Sequence, residues 1–284
     1  MRCHVFKLNC LLGLILLIPN LAFAGTYADA VLNDNPIAYW RMNSNADDAS
    51  GNNHNGAVDG GTGSVTFDHP GLVPAEAGSG AVSLAGMDRI IIPGFEKIGA
   101  SGYSAEYWVN VTAYPTACCD NLVGDGEAGG DFFMMNYLIG PGQGDIGAVR
   151  PHFSFGNQPV SLTTQEPNVL ALNTTYHVVT TWDATDPNNN NGKIYFNGQL
   201  VLEGNVTGNV PAAGETGDNK IYIGRDDREN RPSNFIIDEV ALYDYPLTEA
   251  QIQNHYVVGS VPEPSSAVLL LLGGSFVILR SRRR

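Results

Sequence analysis

Apolar and polar side chains alternate with period two along much of this chain, the pattern of strands that bury one face. In YSAEYWVNV (103–111), Ala105, Tyr107 and Val109 share a face opposite Glu106 and Trp108. Similar short runs predict strands at IAYWRM (37–42), AVSL with RIIIP (81–93), HFSF (152–155), TYHVVTTWD (175–183), NKIYIG (219–224) and NFIIDEVALYD (234–244). Within KIYFNGQLVLEG (193–204) the Asn197-Gly198 step predicts a hairpin, because both residues tolerate the positive φ of a type I′ turn. The one helix the pattern predicts is LTEAQIQNHY (247–256), where Thr248 caps and Gln251 completes a capping box. Nothing marks a second domain between Gly25 and Gly259, and no internal repeat is visible, so the expectation is a single β-sandwich.

The two ends follow another pattern. Residues 1–24 place Arg2 and Lys7 before an apolar run from Leu11 to Ile18 and close on Ala22-Phe23-Ala24, the form of a secretory signal peptide. At the other end, VPEPSSAVLLLLGGSFVILRSRRR has an apolar run of thirteen residues, Ala267 to Leu279, before Arg280 and Arg282 to Arg284. As a helix it is about 20 Å long, short of the ~30 Å hydrocarbon core. It is expected to act as a brief membrane stop with its arginines on the cytoplasmic side.

Composition agrees with short strands and turns: 33 glycines and 16 prolines in 284 residues. The net charge is −14; with the signal peptide and tail set aside, nine bases face twenty-eight acids over residues 25–260, a charge near −19. Such a surface repels phosphate backbones, which excludes nucleic acid as a partner class. Cys3 and Cys10 leave with the signal peptide, so Cys118 and Cys119 remain. In an exported protein the pair is open to three states: a vicinal disulfide, two buried thiols, or an intermolecular bridge.

Four stretches carry a resemblance: YADAVLNDNPIAYWRMNSNADDASGNNHNG, GAVSLAGMDRIIIPG, TYHVVTTWDATDPNNNNGKIYFNGQLV and YIGRDDRENRPSNFIIDEVALYDYPLTEAQIQNHY. In this order they resemble the concanavalin A-like, laminin G-like (LamG) domains of secreted bacterial proteins. That implies an all-β jelly-roll of two antiparallel sheets over residues 25–258, a fold shared by lectins, adhesion modules and some glycosidases. The tail, residues 259–284, resembles a PEP-CTERM sorting signal carrying Pro262, Glu263 and Pro264. The resemblance implies an exosortase-type membrane protease as processing partner and an extracellular polysaccharide setting.

Catalytic chemistry is thinly represented. The Glu-x-Asp-x-Glu triplet that the resemblance implies for laminarinase-like enzymes is missing; Asp238-Glu239 falls on opposite faces of a regular strand, and Glu106 stands alone. These acids are expected to face solvent or organise turns. His54, His69, His152, His177 and His255 lie scattered without a nucleophile elbow, so no enzyme is expected. Calcium is the sharper expectation: the loop from Asn45 to Asn55 offers Asp47, Asp48, Asn52 and Asn53, and the resemblance brings Asp48 beside Asp238 around one structural ion. The alternative is Asp48 bonding its own backbone in an Asx-turn. The loop DATDPNNNNG (183–192) reads as flexible, and RDDRENR (225–231) as a self-compensating surface loop. Aromatic and amide groups suited to sugars occur as Phe132, Phe133, Asn136 and Tyr137, with Tyr103, Asn157 and Arg150 elsewhere, but half of FFMMNYLI is expected in the core and no ligand site is singled out. The expected function is a non-catalytic surface or matrix protein binding carbohydrate, with a structural or adhesive protein-binding role as the alternative and a polysaccharide-active enzyme third.

Overall fold

The computed structural model describes residues 26–60, 64–76, 78–95, 101–125, 135–154, 159–162, 169–186, 191–206, 220–226 and 231–262. The expected signal peptide, Glu263, Pro264 and the apolar run of the tail lie outside them. In chain order the elements are α1 (Tyr27–Asn33), β1 (Ala38–Trp40), β2 (Ala57–Asp59), β3 (Ser64–Pro70), β4 (Gly80–Gly86), β5 (Arg89–Pro93), β6 (Gly102–Val111) and β7 (Cys119–Gly124). There follow β8 (Met135–Ile139), β9 (Val149–Ser154), β10 (Pro159–Ser161), β11 (Thr175–Asp183), β12 (Gly192–Phe196), β13 (Gln199–Gly204), β14 (Lys220–Gly224), β15 (Ser233–Tyr243) and α2 (Glu249–Ser260).

The strands form two antiparallel sheets. Sheet A runs β13-β12-β11-β6-β15-β4-β3, with β1 also paired to β15; sheet B runs β10-β9-β8-β7-β14-β5-β2. Between them lies one core, to which sheet A gives Ala105, Tyr107, Val109, Val178 and Phe235 and sheet B gives Ile90, Ile92, Leu122, Leu138 and Ile223. This is the jelly-roll sandwich, and the alternation in β6 is as the sequence predicts: Ala105, Tyr107 and Val109 point inward. The predicted hairpin is present, with φ of 51° at Asn197 and 74° at Gly198 joining β12 to β13.

A second apolar layer covers the outer face of sheet A. Trp108, Val179, Ile236, Ala241 and Tyr243 pack there against Tyr27 and Val31 of α1 and Ile252 of α2. The capping box of α2 forms as expected between Thr248 and Gln251. Two features depart from the sequence reading. α1 is a second helix, capped by Thr26 with Asp29 closing its own capping box. α2 continues to Ser260, across the expected boundary at 258/259. Among the described residues no helix is long and apolar enough to cross a membrane.

Candidate functional site

The densest cluster of titratable groups lies between sheet A and the two helices. Glu106 is fully buried and accepts from four donors: Tyr27 Oη–H at 2.9 Å and His177 Nε2 at 2.8 Å on Oε1, Tyr243 Oη–H at 3.0 Å and His255 Nδ1 at 3.0 Å on Oε2. The other ring nitrogen of His255 stands 3.0 Å from Asp34 Oδ2. Burial opposes charge on Glu106, but His255 and His177 outweigh it and hold the carboxyl well below its usual range. Burial likewise opposes charge on His255, while Glu106 and Asp34 raise it to about 9. Carboxylate, imidazoles and phenols in one place would suit acid–base chemistry, yet Glu106, His177 and His255 are all enclosed at 0% exposure. The expectation that Glu106 is a solvent-facing or turn-organising acid is therefore corrected: it is the hub that fastens both helices to the sheet.

Asp238 and Glu239 are corrected in the same way. Both are fully buried, and a β-bulge adds one residue to β15 between Asp238 and Ala241, with Glu239 at φ 50°. The extra residue breaks the alternation, so the pair does not lie on opposite faces. Asp238 Oδ2 accepts from Leu72 N–H at 2.8 Å, while Glu239 accepts from Tyr39 Oη–H and from Arg41 Nε at 3.2 Å, all on the helix-covered side. Burial raises Asp238 to about 7; burial and neighbouring Asp238 push Glu239 well above its usual value. Asp48 has another task. Its Oδ1 accepts from Tyr39 N–H and Ser50 N–H, both at 2.9 Å, and its Oδ2 from His54 N–H at 3.0 Å. These bonds hold its acid form down against partial burial. Trp40 of β1 bridges to Asp48 on one side and pairs with Val240 of β15 on the other, so β1 stands between Asp48 and Asp238. Each carboxylate thus has its own hydrogen-bond partners, Tyr39, Ser50 and His54 for Asp48 and Leu72 for Asp238.

The outer face of sheet B is of a different kind. Ile90, Ile92, Ile221, Ile223 and Leu138 point inward, so period two turns Arg89, Tyr222 and Tyr137 outward. Asn121 of β7 pairs with Tyr137 of β8, which pairs in turn with Arg150 of β9. The amide of Asn121 donates to the Tyr222 carbonyl at 3.2 Å, and the Arg89 guanidinium lies 4.7 Å from the centre of the Tyr222 ring. The result is a row crossing five strands, Arg89, Tyr222, Asn121, Tyr137 and Arg150, of which the first four are buried and Arg150 is part-exposed. Arg231 stands 5.9 Å over the Tyr137 ring, His152 meets the ring edge-on at 4.9 Å, and Tyr137 Oη–H donates to Asp226 Oδ2 at 3.4 Å. Asp226 also pairs with Arg231 at 3.5 Å. Two side chains of the row keep buried atoms without a hydrogen-bond partner, Asn121 Oδ1 and Arg150 Nε.

The sequence reading named Arg150 and Tyr137 but missed Arg89, Tyr222 and Asn121. The alternation of RIIIP and KIYIG carried that signal, since it puts Arg89 and Tyr222 opposite the isoleucines. Tyr103, by contrast, points into the core against Trp182. Asn136 is also buried, while Phe132, Phe133 and Asn157 lie outside the described residues. Beside the row, Cys118 and Cys119 are joined in a disulfide between neighbours, and Cys119 packs with Tyr137, Ile139 and Ala148.

An open cleft of about 270 Å³ lies elsewhere, where Lys193 and Tyr195 of sheet A meet Asp183, Asp186 and the α2 residue Glu249. Burial, Glu249 and Glu203 raise Tyr195 to about 12. Its carboxylates outnumber its single ammonium. Within the 183–192 loop beside it, residues 187–190 lie outside the described residues, and the Asn191 side chain bonds Asp183 O and both backbone groups of Val206.

The family model described as concanavalin A-like lectin/glucanases superfamily matches residues 84–253. No curated protein matches the sequence. Among solved structures, domain 4 of AbnA, a GH43 extracellular arabinanase from Geobacillus stearothermophilus, in complex with arabinotriose, is similar with a TM-score of 0.56 at 17% identity, covering 78% of this chain and 98% of that one. The binding domain of Paraclostridial Mosquitocidal Protein 1 gives 0.54 at 15% identity over 79% of this chain. The binding domain of botulinum neurotoxin DC in complex with rat synaptotagmin II gives 0.56 at 15% over 80%. This chain spans about half of each of these two, 52%. At such identities the likeness is one of fold.

Proposed function

The chain belongs to the concanavalin A-like lectin/glucanases superfamily, and from that membership we propose that it is an exported, non-catalytic protein of the cell surface or matrix that binds polysaccharide across sheet B. The observation that carries the reading is the row from Arg89 to Arg150, in which two tyrosines alternate with amide and guanidinium groups. A sugar chain presents apolar ring faces and many hydroxyls, and it is recognised by such a mixture. A domain of like fold that holds arabinotriose supports carbohydrate as the ligand class; domains named for receptor binding keep a protein partner as the second reading. Full enclosure of Glu106, His177 and His255 supports a non-catalytic role, because a catalytic group must touch its substrate. For delivery, the signal peptide exports the chain, the tail halts in the membrane, and an exosortase-type protease cuts near Pro262 to Pro264. A structural calcium on Asp48 and Asp238 is part of the same proposal.

The test is a glycan array with the full chain, run with and without EDTA. Specific signals are expected, and Arg150→Ala, at the part-exposed end of the row, should weaken them roughly tenfold, about 1.4 kcal/mol. Loss of signal in EDTA would report a calcium requirement. Uniform blanks beside self-association in light scattering would replace this reading with the adhesive one.

A further inference from the structure

The open cleft beside the N-terminus of α2 is lined by polar groups that the fold leaves unused. It lies on the outer face of sheet A, and alternation puts its residues there. Val179 of β11 packs under the helices, so Thr181 and Asp183 share its face, as Lys193 shares that of Tyr195 on β12. Thr181 and Lys193 are register partners, which sets hydroxyl beside ammonium. Thr181 and Tyr195 are each only 3% exposed, yet both line the cleft. Among the described residues neither hydroxyl has a hydrogen-bond partner, and neither is sealed off as the Thr180 hydroxyl is. Hydroxyls so nearly enclosed gain free energy from whatever meets them through the opening.

The charges of the cleft are held apart in the same way. Glu203 stands opposite Lys193 on β13, and the carboxylates of Asp183, Asp186 and Glu249 line the cleft with it, yet among the described residues none of them pairs with Lys193. Asp183 spends Oδ1 on Thr185, whose N–H and hydroxyl donate at 2.9 and 2.6 Å, and Glu249 Oε1 accepts from Gln253 at 2.9 Å, so each keeps a second oxygen to offer. A cation entering here meets Lys193, and an anion meets three carboxylates. A hydroxyl escapes both penalties, because it accepts from the ammonium and donates its own proton to a carboxylate. Burial, Glu249 and Glu203 keep Tyr195 protonated by raising it to about 12, so it remains a donor. Pro246 and Leu247 add apolar surface, which suits the C–H face of a sugar ring. At about 270 Å³ the cleft is just under the usual span for ligand sites, roughly 300–1,000 Å³, and fits one ring rather than a length of polymer.

We propose that this cleft is a second binding site, which takes a single neutral sugar unit: its hydroxyls accept from Lys193 and Tyr195 and donate to Asp183 and Glu249, with the Thr181 hydroxyl as a further partner on the floor. The site uses other residues than the row on sheet B and lies on the other face of the sandwich. Neither reading needs the other.

Saturation-transfer NMR and calorimetry with the full chain would use the methyl glycosides of glucose, galactose, mannose and arabinose, with glucosamine and glucuronate as charged counterparts. At least one methyl glycoside is expected to bind, and more tightly than either charged sugar. Thr181→Val and Tyr195→Phe each remove a hydroxyl and keep the shape. Each should weaken binding roughly tenfold or more, while the melting temperature stays at or above that of the parent. Arg150→Ala should leave this binding unchanged. A melting temperature lowered by both cleft substitutions would mean that the hydroxyls already bond within the protein, and the proposal would fall. Preference for glucosamine or glucuronate would overturn the neutral ligand. Binding lost in Arg150→Ala but kept in Thr181→Val and Tyr195→Phe would overturn the cleft as the site and leave the sheet B reading standing. Binding of none of the six probes would end this inference, whereas the glycan array decides the sheet B reading by itself.

Discussion

Glu106 shows how far one side chain can depart from what its neighbours in sequence suggest. In SAEYW it looks solitary; in the fold it ties α1, β11, β15 and α2 together. The groups facing His255 are Glu106 from β6, Asp34 from the end of α1, and the Tyr27 ring. His255 is raised to about 9 when folded, so its contribution is fully present below its unfolded value near 6.5 and is lost as pH rises through 9. Glu106 is depressed, so its contribution is present above about 4.5 and lost as pH falls toward its folded value. Stability should be greatest near pH 5–6.5 and decline by roughly 3 kcal/mol toward alkaline pH. Glu106→Gln should cost about 3 kcal/mol at pH 6 and flatten the alkaline decline, since the buried imidazolium loses its main counter-charge. Urea unfolding from pH 5 to pH 10 reads both; an alkaline limb as steep in the variant as in the parent would refute the assignment. The partners of Glu106 lie 71 to 149 residues away. A local pattern does not carry contacts of that span.

Single elements were more legible, and their failures have local causes. β11 matches its predicted bounds, and the caps of α2 were readable because Thr248 and Gln251 are spaced for them. α1 passed unnoticed although Thr26 and Asp29 repeat the same device, because seven residues give the helical period too little room. β7 was missed where its bulge between Asn121 and Val123 interrupts the alternation. The bulge in β15 likewise reversed the expected placing of Glu239. α2 depends on one close approach: a Cβ on Gly259 would meet Trp108 Cζ2 and Tyr27 Cδ2 at 2.8 Å. Gly259→Ala should therefore destabilise by about 1–2 kcal/mol net, overpacking outweighing the gain in helix propensity. For a domain of this size that is a melting decrease of roughly 2–8 °C. An unchanged or higher melting temperature would mean that the helix can back away at no cost.

At the scale of the molecule, the two-sheet sandwich followed from short alternating strands and turns, whereas the candidate site did not. Arg89, Tyr222, Asn121, Tyr137 and Arg150 come from five strands, and only strand order brings them into one row. The sequence supplied the face on which each would lie but not which strands would be neighbours. Delivery, as proposed, belongs to the termini. Replacing Arg280 and Arg282 to Arg284 by Ser should leave the chain misplaced or wrongly trimmed, because the positive cluster that orients the apolar run is gone. Cell fractionation and the intact mass of the exported protein test this; normal surface delivery with normal mass would exclude a role for the arginines.

The helix at the start of the described chain and the helix at its end lie together, with Asp34 against His255 and Tyr27 against Gly259. Both sit on the side of the sandwich opposite the row of tyrosines and arginines. On the proposed delivery, a molecule held by its tail would be moored by its back, and the proposed glycan-facing side would look away from the lipid.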